Sequence, residues 1–163
     1  MIMKAELQPG FVKEKKDVLD FAFNEFDIKS AAELGCVYGV DCAYGRYVAE
    51  KFPDVRVTCV DNEWTDSATK AVSAFSNIAQ VDMRFNADYA PKTIGAVDAV
   101  ILFWVLLHQV SPDWDEVIKA YATYTNVFII ANPQWTATHK TVRLFDLPEA
   151  AYKENVIMMN RHA

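Results

Sequence analysis

The segment Glu33–Gly45, ELGCVYGVDCAYG, opens on an acidic residue and holds three glycines in thirteen positions, with no proline and no lysine. It lies between two apolar pieces. Ser30–Leu34 reads as a short strand, and across Asp41 to Phe52 the residues Tyr44, Tyr47, Val48 and Phe52 fall on one helical stripe. Pro53 and Asp54 stop that helix ahead of the β-branched run VRVTCV, residues 55–60, which reads as a second strand. Strand, glycine turn, helix and strand together make a β-α-β unit, the repeat of an α/β domain.

Outward from this unit the alternation continues, without internal repeats or low-complexity tracts. Upstream, Phe11, Val18, Leu19, Ala22, Phe23 and Phe26 recur at helical spacing, predicting an amphipathic helix over roughly Phe11 to Phe26. Downstream, Ala68, Ala71, Val72, Phe75 and Ile78 predict a helical stripe, followed by a strand at VDMRF, residues 81–85. Little more than the ten residues Asn86–Gly95 lies between that strand and VDAVILFW, residues 97–104, which leaves room for a helical turn or so. Ser111, Pro112, Asp113 and Asp115 predict a helix start with a hydroxyl cap, and Trp114, Val117, Ile118 and Tyr121 predict its apolar face. Asn126–Ala131, NVFIIA, reads as a fifth strand buried on both faces and ended by Pro133. The expectation is one α/β domain over residues 1–163, a doubly wound, mostly parallel sheet of about five strands flanked by helices.

Composition narrows the function. The chain has 163 residues, 52% hydrophobic, and a net charge of −6, which argues against the basic footprint of a nucleic-acid binder. Its longest apolar run, Ala99–Leu107, is too short to span a bilayer, and the amino terminus has no signal-peptide core, so a cytoplasmic protein is expected. Cys36, Cys42 and Cys59 are odd in number and match neither a zinc motif nor a disulfide framework. No carboxylate–histidine spacing suggests a metal either.

A glycine turn between a strand and a helix suits an anionic ligand, because the backbone can approach it and the helix start offers free N–H donors. A G-x-G-x-x-G dinucleotide turn would need glycine at Val37, which weakens a nicotinamide-dependent oxidoreductase. Asp61, 22 residues after Gly39 at the end of the second strand, is placed to accept hydrogen bonds from two ribose hydroxyls, or else to cap the following turn. Trp64 is placed to stack on a base or to cover a helix start.

The segment resembles the first motif of the class I S-adenosylmethionine-dependent methyltransferases, an acid followed by G-x-G-x-G. Glu33, Gly35 and Gly39 match, while Val37 stands at the middle glycine. Asp61, Asp88, Asp98 and the stretch Leu107-His108-Gln109-Val110 match later motifs of the family in order, so the resemblance runs from Glu33 to Ala131. It implies the Rossmann-like methyltransferase fold and the cofactor S-adenosyl-L-methionine. Around the first strand the implied cofactor residues are Glu33, Gly35, Cys36 and Gly39. Beyond the second and third strands they are Asp61, Asn62, Asp88 and Tyr89, with Phe103 at the fourth.

Methyl transfer asks the protein mostly for alignment, exclusion of water and, for some acceptors, removal of a proton. His108 is the catalytic candidate for that proton, against the alternative of a loop histidine bonded to backbone. Phe103, Trp104 and Tyr38 are expected at the mouth, with Phe103 and Trp104 also reading as core at a strand end. ANPQW, residues 131–135, departs from the N-P-P-[YFW] tetrad of nucleic-acid amino-methyltransferases at Gln134 and follows the wrong strand, so a small-molecule methyl acceptor is the expected partner. A homodimer is left open. His139 and His162 have no evident partners. After Ala131 only 32 residues remain, with TVRLFDL and ENVIMMN as extended pieces, so the family's C-terminal strand pair is expected to be shortened or missing, in a small domain or a truncated chain. A non-catalytic domain that has kept the fold and lost the cofactor stands as the alternative, motivated by Val37 and the short C-terminal end.

Overall fold

The computed structural model describes residues 13–109 and 111–131. Five parallel strands form one sheet in the order β3-β2-β1-β4-β5. They are β1 (Ser30–Leu34), β2 (Arg56–Asp61), β3 (Ile78–Asp82), β4 (Val97–Phe103) and β5 (Thr125–Ala131). Helices α1 (Lys13–Glu25), α2 (Ala43–Lys51), α3 (Asp66–Val72), α4 (Ala90–Ile94) and α5 (Trp114–Tyr121) connect and cover them. The chain starts in mid-sheet at β1, works out to β3, and returns to β4 on the other side of β1.

Side-chain alternation splits the core between the two faces of the sheet. Along β4, Ala99, Ile101 and Phe103 join β2's Val57 and Cys59 beneath α1, α2 and α3. Val100 and Leu102 join Ala32, Leu34 and Val60 on the opposite face, under Val117 and Tyr121 of α5. Helices therefore lie on both faces, as the doubly wound expectation requires. From α1, Leu19, Ala22 and Phe23 are buried and Phe23 stacks on Phe52, whereas Val18 and Phe26 are exposed. Phe11 lies outside the described residues.

Ser30–Leu34 coincides with the predicted strand, but β3 does not. It runs over residues 78–82 and not 81–85, pairing Val57 with Ile78 and Asp61 with Asp82. Asn77 enforces this early turn into the sheet: its amide donates to the carbonyls of Ala49, Pro53 and Val55, while its own carbonyl accepts from Val57 N–H. Helix α3 consequently ends at Val72, and neither Phe75 nor Ile78 is helical.

The start of α5 also differs. Asp113 is the cap, in a capping box with Glu116, while Ser111 and Pro112 precede the helix across a cis peptide bond. An acid at the cap with an acid three residues on satisfies two backbone donors reciprocally, which a lone serine cannot do. Trp114, expected on the apolar face, is exposed because it stands at the first helical position. Strand β5 is not buried on both faces; it is an edge of the described sheet, and Ile130 is exposed. The segments around Pro133, Gln134 and Trp135, His139, His162 and the two C-terminal extended pieces lie outside the described residues.

Asp98 joins the two halves of the sheet. Its Oδ2 accepts from Lys29 N–H, Ser30 N–H and Ser30 Oγ, each at 2.9 Å. The Lys29 backbone bond, then the Ser30 hydroxyl, hold the Asp98 pKa below its ordinary value of 3.8. A depressed carboxylate contributes stability that is full above the unfolded-state pKa and lost as pH falls through the folded one. Asp98→Ala is expected to cost about 1 kcal/mol at neutral pH, discounted for partial exposure. In urea melts at stepped pH, the gap between wild type and variant should close as pH falls below about 4; a gap constant with pH would refute the assignment.

Candidate functional site

Strand order reverses between β1 and β4, and open α/β sheets bind ligands outside the carboxyl ends of the strands at such a point. A cavity of about 670 Å³ lies there. Glu33, Leu34 and Gly35 come to it from β1, Asp61 from β2, and Phe103, Trp104 and Val105 from β4.

The glycine turn that forms one wall takes its shape from where left-handed backbone falls. Gly35, Gly39, Asp41 and Cys42 have φ of 66°, 72°, 48° and 58°. Val37 is not among them, so a β-branched residue fits there without strain. The Val37 side chain is buried in the core beside α2 and does not line the cavity. Its N–H donates to Asp61 Oδ2 at 2.9 Å, and its carbonyl accepts from Asp41 N–H. Oδ1 of Asp61 accepts from Glu63 N–H at 3.0 Å. Asp61 thus turns the chain after β2 and pins the glycine turn to it, while α3 is capped by Thr65. A carboxylate has about four lone-pair sites, so two remain for a ligand.

Glu33 is fully enclosed beneath the same wall. Its Oε2 accepts from Gly45 N–H at 2.7 Å, in the first turn of α2. A Cβ at Gly45 would stand 2.7 Å from that oxygen, so only glycine lets the helix approach this closely. Burial pushes the Glu33 carboxyl well above its usual range, against the lowering effect of the Gly45 bond and of Arg46.

Lys15 enters from α1. It is 3% exposed; its Nζ donates to Tyr44 Oη at 2.8 Å and sits 3.7 Å from the centre of the Trp104 ring. Tyr44 and Phe103, packed edge to face at 4.9 Å, complete an aromatic box around the ammonium. Trp104 takes φ of 60°, a left-handed conformation that costs a bulky residue on the order of 1–3 kcal/mol and aims its ring across the end of β4.

The structure brings Glu33, Gly35, Gly39, Asp61, Phe103 and His108 together around the cavity, with Tyr38 at its rim. Cys36 is buried outside the lining, and Asn62 is exposed away from it. Asp88 and Tyr89 are also exposed and do not line the cavity. Because β3 ends at Asp82, the following chain delivers Phe85 to the cavity and leaves Asp88 in a turn before α4. Tyr121 Oη fixes that delivery by donating to Phe85 O at 2.6 Å. Trp64 donates its indole N–H to Val81 O and packs on the core, away from the cavity. Sequence reasoning missed Lys15, Glu63, Phe85 and Gln109 in the lining. Lys15 gave no signal, being one of five charged residues in a row on α1.

No family model matches the chain, and no curated protein does. Solved structures do. A methyltransferase, CalO6, is 19% identical with a TM-score of 0.52, covering 92% of this chain and 48% of its own. A putative O-methyltransferase of Nostoc punctiforme is 18% identical with a TM-score of 0.51, covering 69% and 33%. Coclaurine N-methyltransferase, solved with N-methylheliamine and SAH, is 16% identical with a TM-score of 0.50, covering 73% and 37%. This chain therefore spans about a third to a half of the length of these structures. At such identities the likeness establishes the fold, a Rossmann-like methyltransferase fold. Among the described residues no helix is long and apolar enough to cross a membrane.

Burial lowers the Lys15 pKa from 10.5 to about 8, with Glu33 opposing it. Below about 8 both the folded and unfolded chains hold the proton; between about 8 and 10.5 only the unfolded chain does, so this lysine's contribution to stability rises with pH there. The stability of wild type minus that of Lys15→Met, from urea melts, should climb across this window. A flat difference would show that the ammonium is not enclosed.

Proposed function

We propose that this chain is an S-adenosylmethionine-dependent methyltransferase module acting on a small-molecule acceptor. The observation that carries the proposal is the cavity at the strand reversal, with an acidic, glycine-turned wall facing an aromatic one. When bound, the cofactor supplies a methyl carbon already activated on a sulfonium. Asp61 then accepts hydrogen bonds from the ribose hydroxyls through its two remaining lone-pair sites, while the turn stays fixed by the other two. At Gly39 an added Cβ would meet nothing within 4 Å, so the backbone there is open to a ligand. Tyr44, Phe103 and Trp104 offer ring faces suited to a positive charge.

An acceptor oxygen or nitrogen that takes the methyl group would have a proton to give up. His108, on the 3-10 turn Leu106–His108 after β4, takes that proton in this scheme. Lys15 is a second acceptor for it, since its pKa of about 8 leaves a fraction neutral near physiological pH. A small acceptor is favoured by the enclosed volume and by the net charge of −6, which repels nucleic acid.

Thermal melting with S-adenosylmethionine, S-adenosylhomocysteine and NAD in parallel tests the proposal. A ligand at 100 times its Kd adds about 2.7 kcal/mol of stability. Both sulfur cofactors should raise Tm and NAD should not. A shift with NAD alone points to an oxidoreductase, and no shift with any of the three points to a non-catalytic domain.

Asp61→Ala should lower Tm without ligand, by about 1–3 kcal/mol of lost stability, because two backbone donors lose their acceptor. It should also abolish the shift with S-adenosylmethionine. An unchanged ligand shift would remove the ribose assignment.

A further inference from the structure

We propose that Cys36, Cys42 and Cys59 form a thiolate site for one soft d10 cation, of the zinc, cadmium or copper(I) kind, beneath the glycine turn. The three residues come from the turn, the position ahead of α2 and the middle of β2, and their Sγ atoms all lie within 4.8 Å of one another. All three are free thiols and buried. A trigonal cation with metal–sulfur bonds of about 2.3 Å requires sulfurs about 4.0 Å apart. Cys36 and Cys42, at 3.3 Å, need to part by well under an ångström.

The surroundings are arranged around the sulfurs. A Cβ at Gly45 would stand 2.8 Å from Cys59 Sγ, so the glycine that admits Glu33 also keeps space for this sulfur. Glu33 Oε2 lies 3.9 Å from Cys59 Sγ, within reach as a fourth, oxygen ligand for a tetrahedral cation. Three thiolates around a divalent cation leave one negative charge. Arg46 is buried with its Nη2 lacking a hydrogen-bond partner, and its charge favours the ionised forms of Cys42 and Glu33. An enclosed guanidinium beside an enclosed anion is the compensation that buried charge demands.

Binding a cation displaces thiol protons, so affinity should fall with acid. Soft thiolates select such cations over magnesium or calcium. The spacing in sequence hid the site, since Cys59 joins the other two only through pairing of β2 with β1. The proposal is independent of methyl transfer.

The test is a titration of the full chain, kept reduced, with cadmium chloride alone. A sulfur-to-cadmium charge-transfer band should saturate at one cation per chain and be displaced by excess zinc. Native mass spectrometry should show one bound cation on the wild type, a readout that needs no variant. Cys36→Ser, Cys42→Ser and Cys59→Ser, each checked for folding by circular dichroism, should lose or greatly weaken the band. No saturable band, no bound cation in the native mass, or a band that survives all three substitutions would overturn the proposal.

Discussion

The carboxylate of Asp61 holds the site together. One oxygen takes the N–H of Val37 and the other that of Glu63, so a single side chain fixes both the glycine turn after β1 and the chain leaving β2. Parallel strands bring the ends of neighbouring elements to the same edge, but they leave the connecting loops without ladder partners. Buried backbone donors need acceptors, and at this edge a carboxylate supplies them. Glu33 repeats the device one strand over by accepting from Gly45. The mouth of the cavity thus owes its shape to two enclosed acids bonded to main chain.

Such acids carry a cost in desolvation that is met differently at each position. Asp61 is met by backbone N–H groups on both oxygens, whereas Glu33 has one such bond, a charged arginine nearby and Lys15 across the cavity. Burial therefore dominates at Glu33 and raises its pKa. The two carboxylates look alike in sequence and differ in physics. One accepts from main chain through both oxygens, and the other is a group whose charge depends on what else occupies the space.

The β-α-β unit was legible because its signals agree: an apolar strand, turn glycines, an apolar stripe of period 3.6 and a proline stop. Asp61 was legible for the same reason, since a strand end fixes where its carboxylate goes. β3 was misplaced because Ile78 satisfies both a helical stripe and a strand, and what decides between them is the Asn77 amide, bonded to three carbonyls distant in sequence. That three-residue error carried Asp88 and Tyr89 into the site and left Phe85 out. Lys15 and the cysteine trio were illegible for a different reason: each depends on tertiary packing between elements, and no local pattern encodes it. The turn at Val37 shows the converse, because a departure from a motif is accommodated without strain where the backbone angle suits a β-branched residue.

The ammonium of Lys15, caged by Tyr44, Phe103 and Trp104, makes the protein its own rival for any cationic guest. A positive charge brought to those ring faces would meet the lysine already seated there. The docking of the first helix, which carries the lysine, and the alkalinity of the medium, which discharges it, thereby set what those ring faces hold.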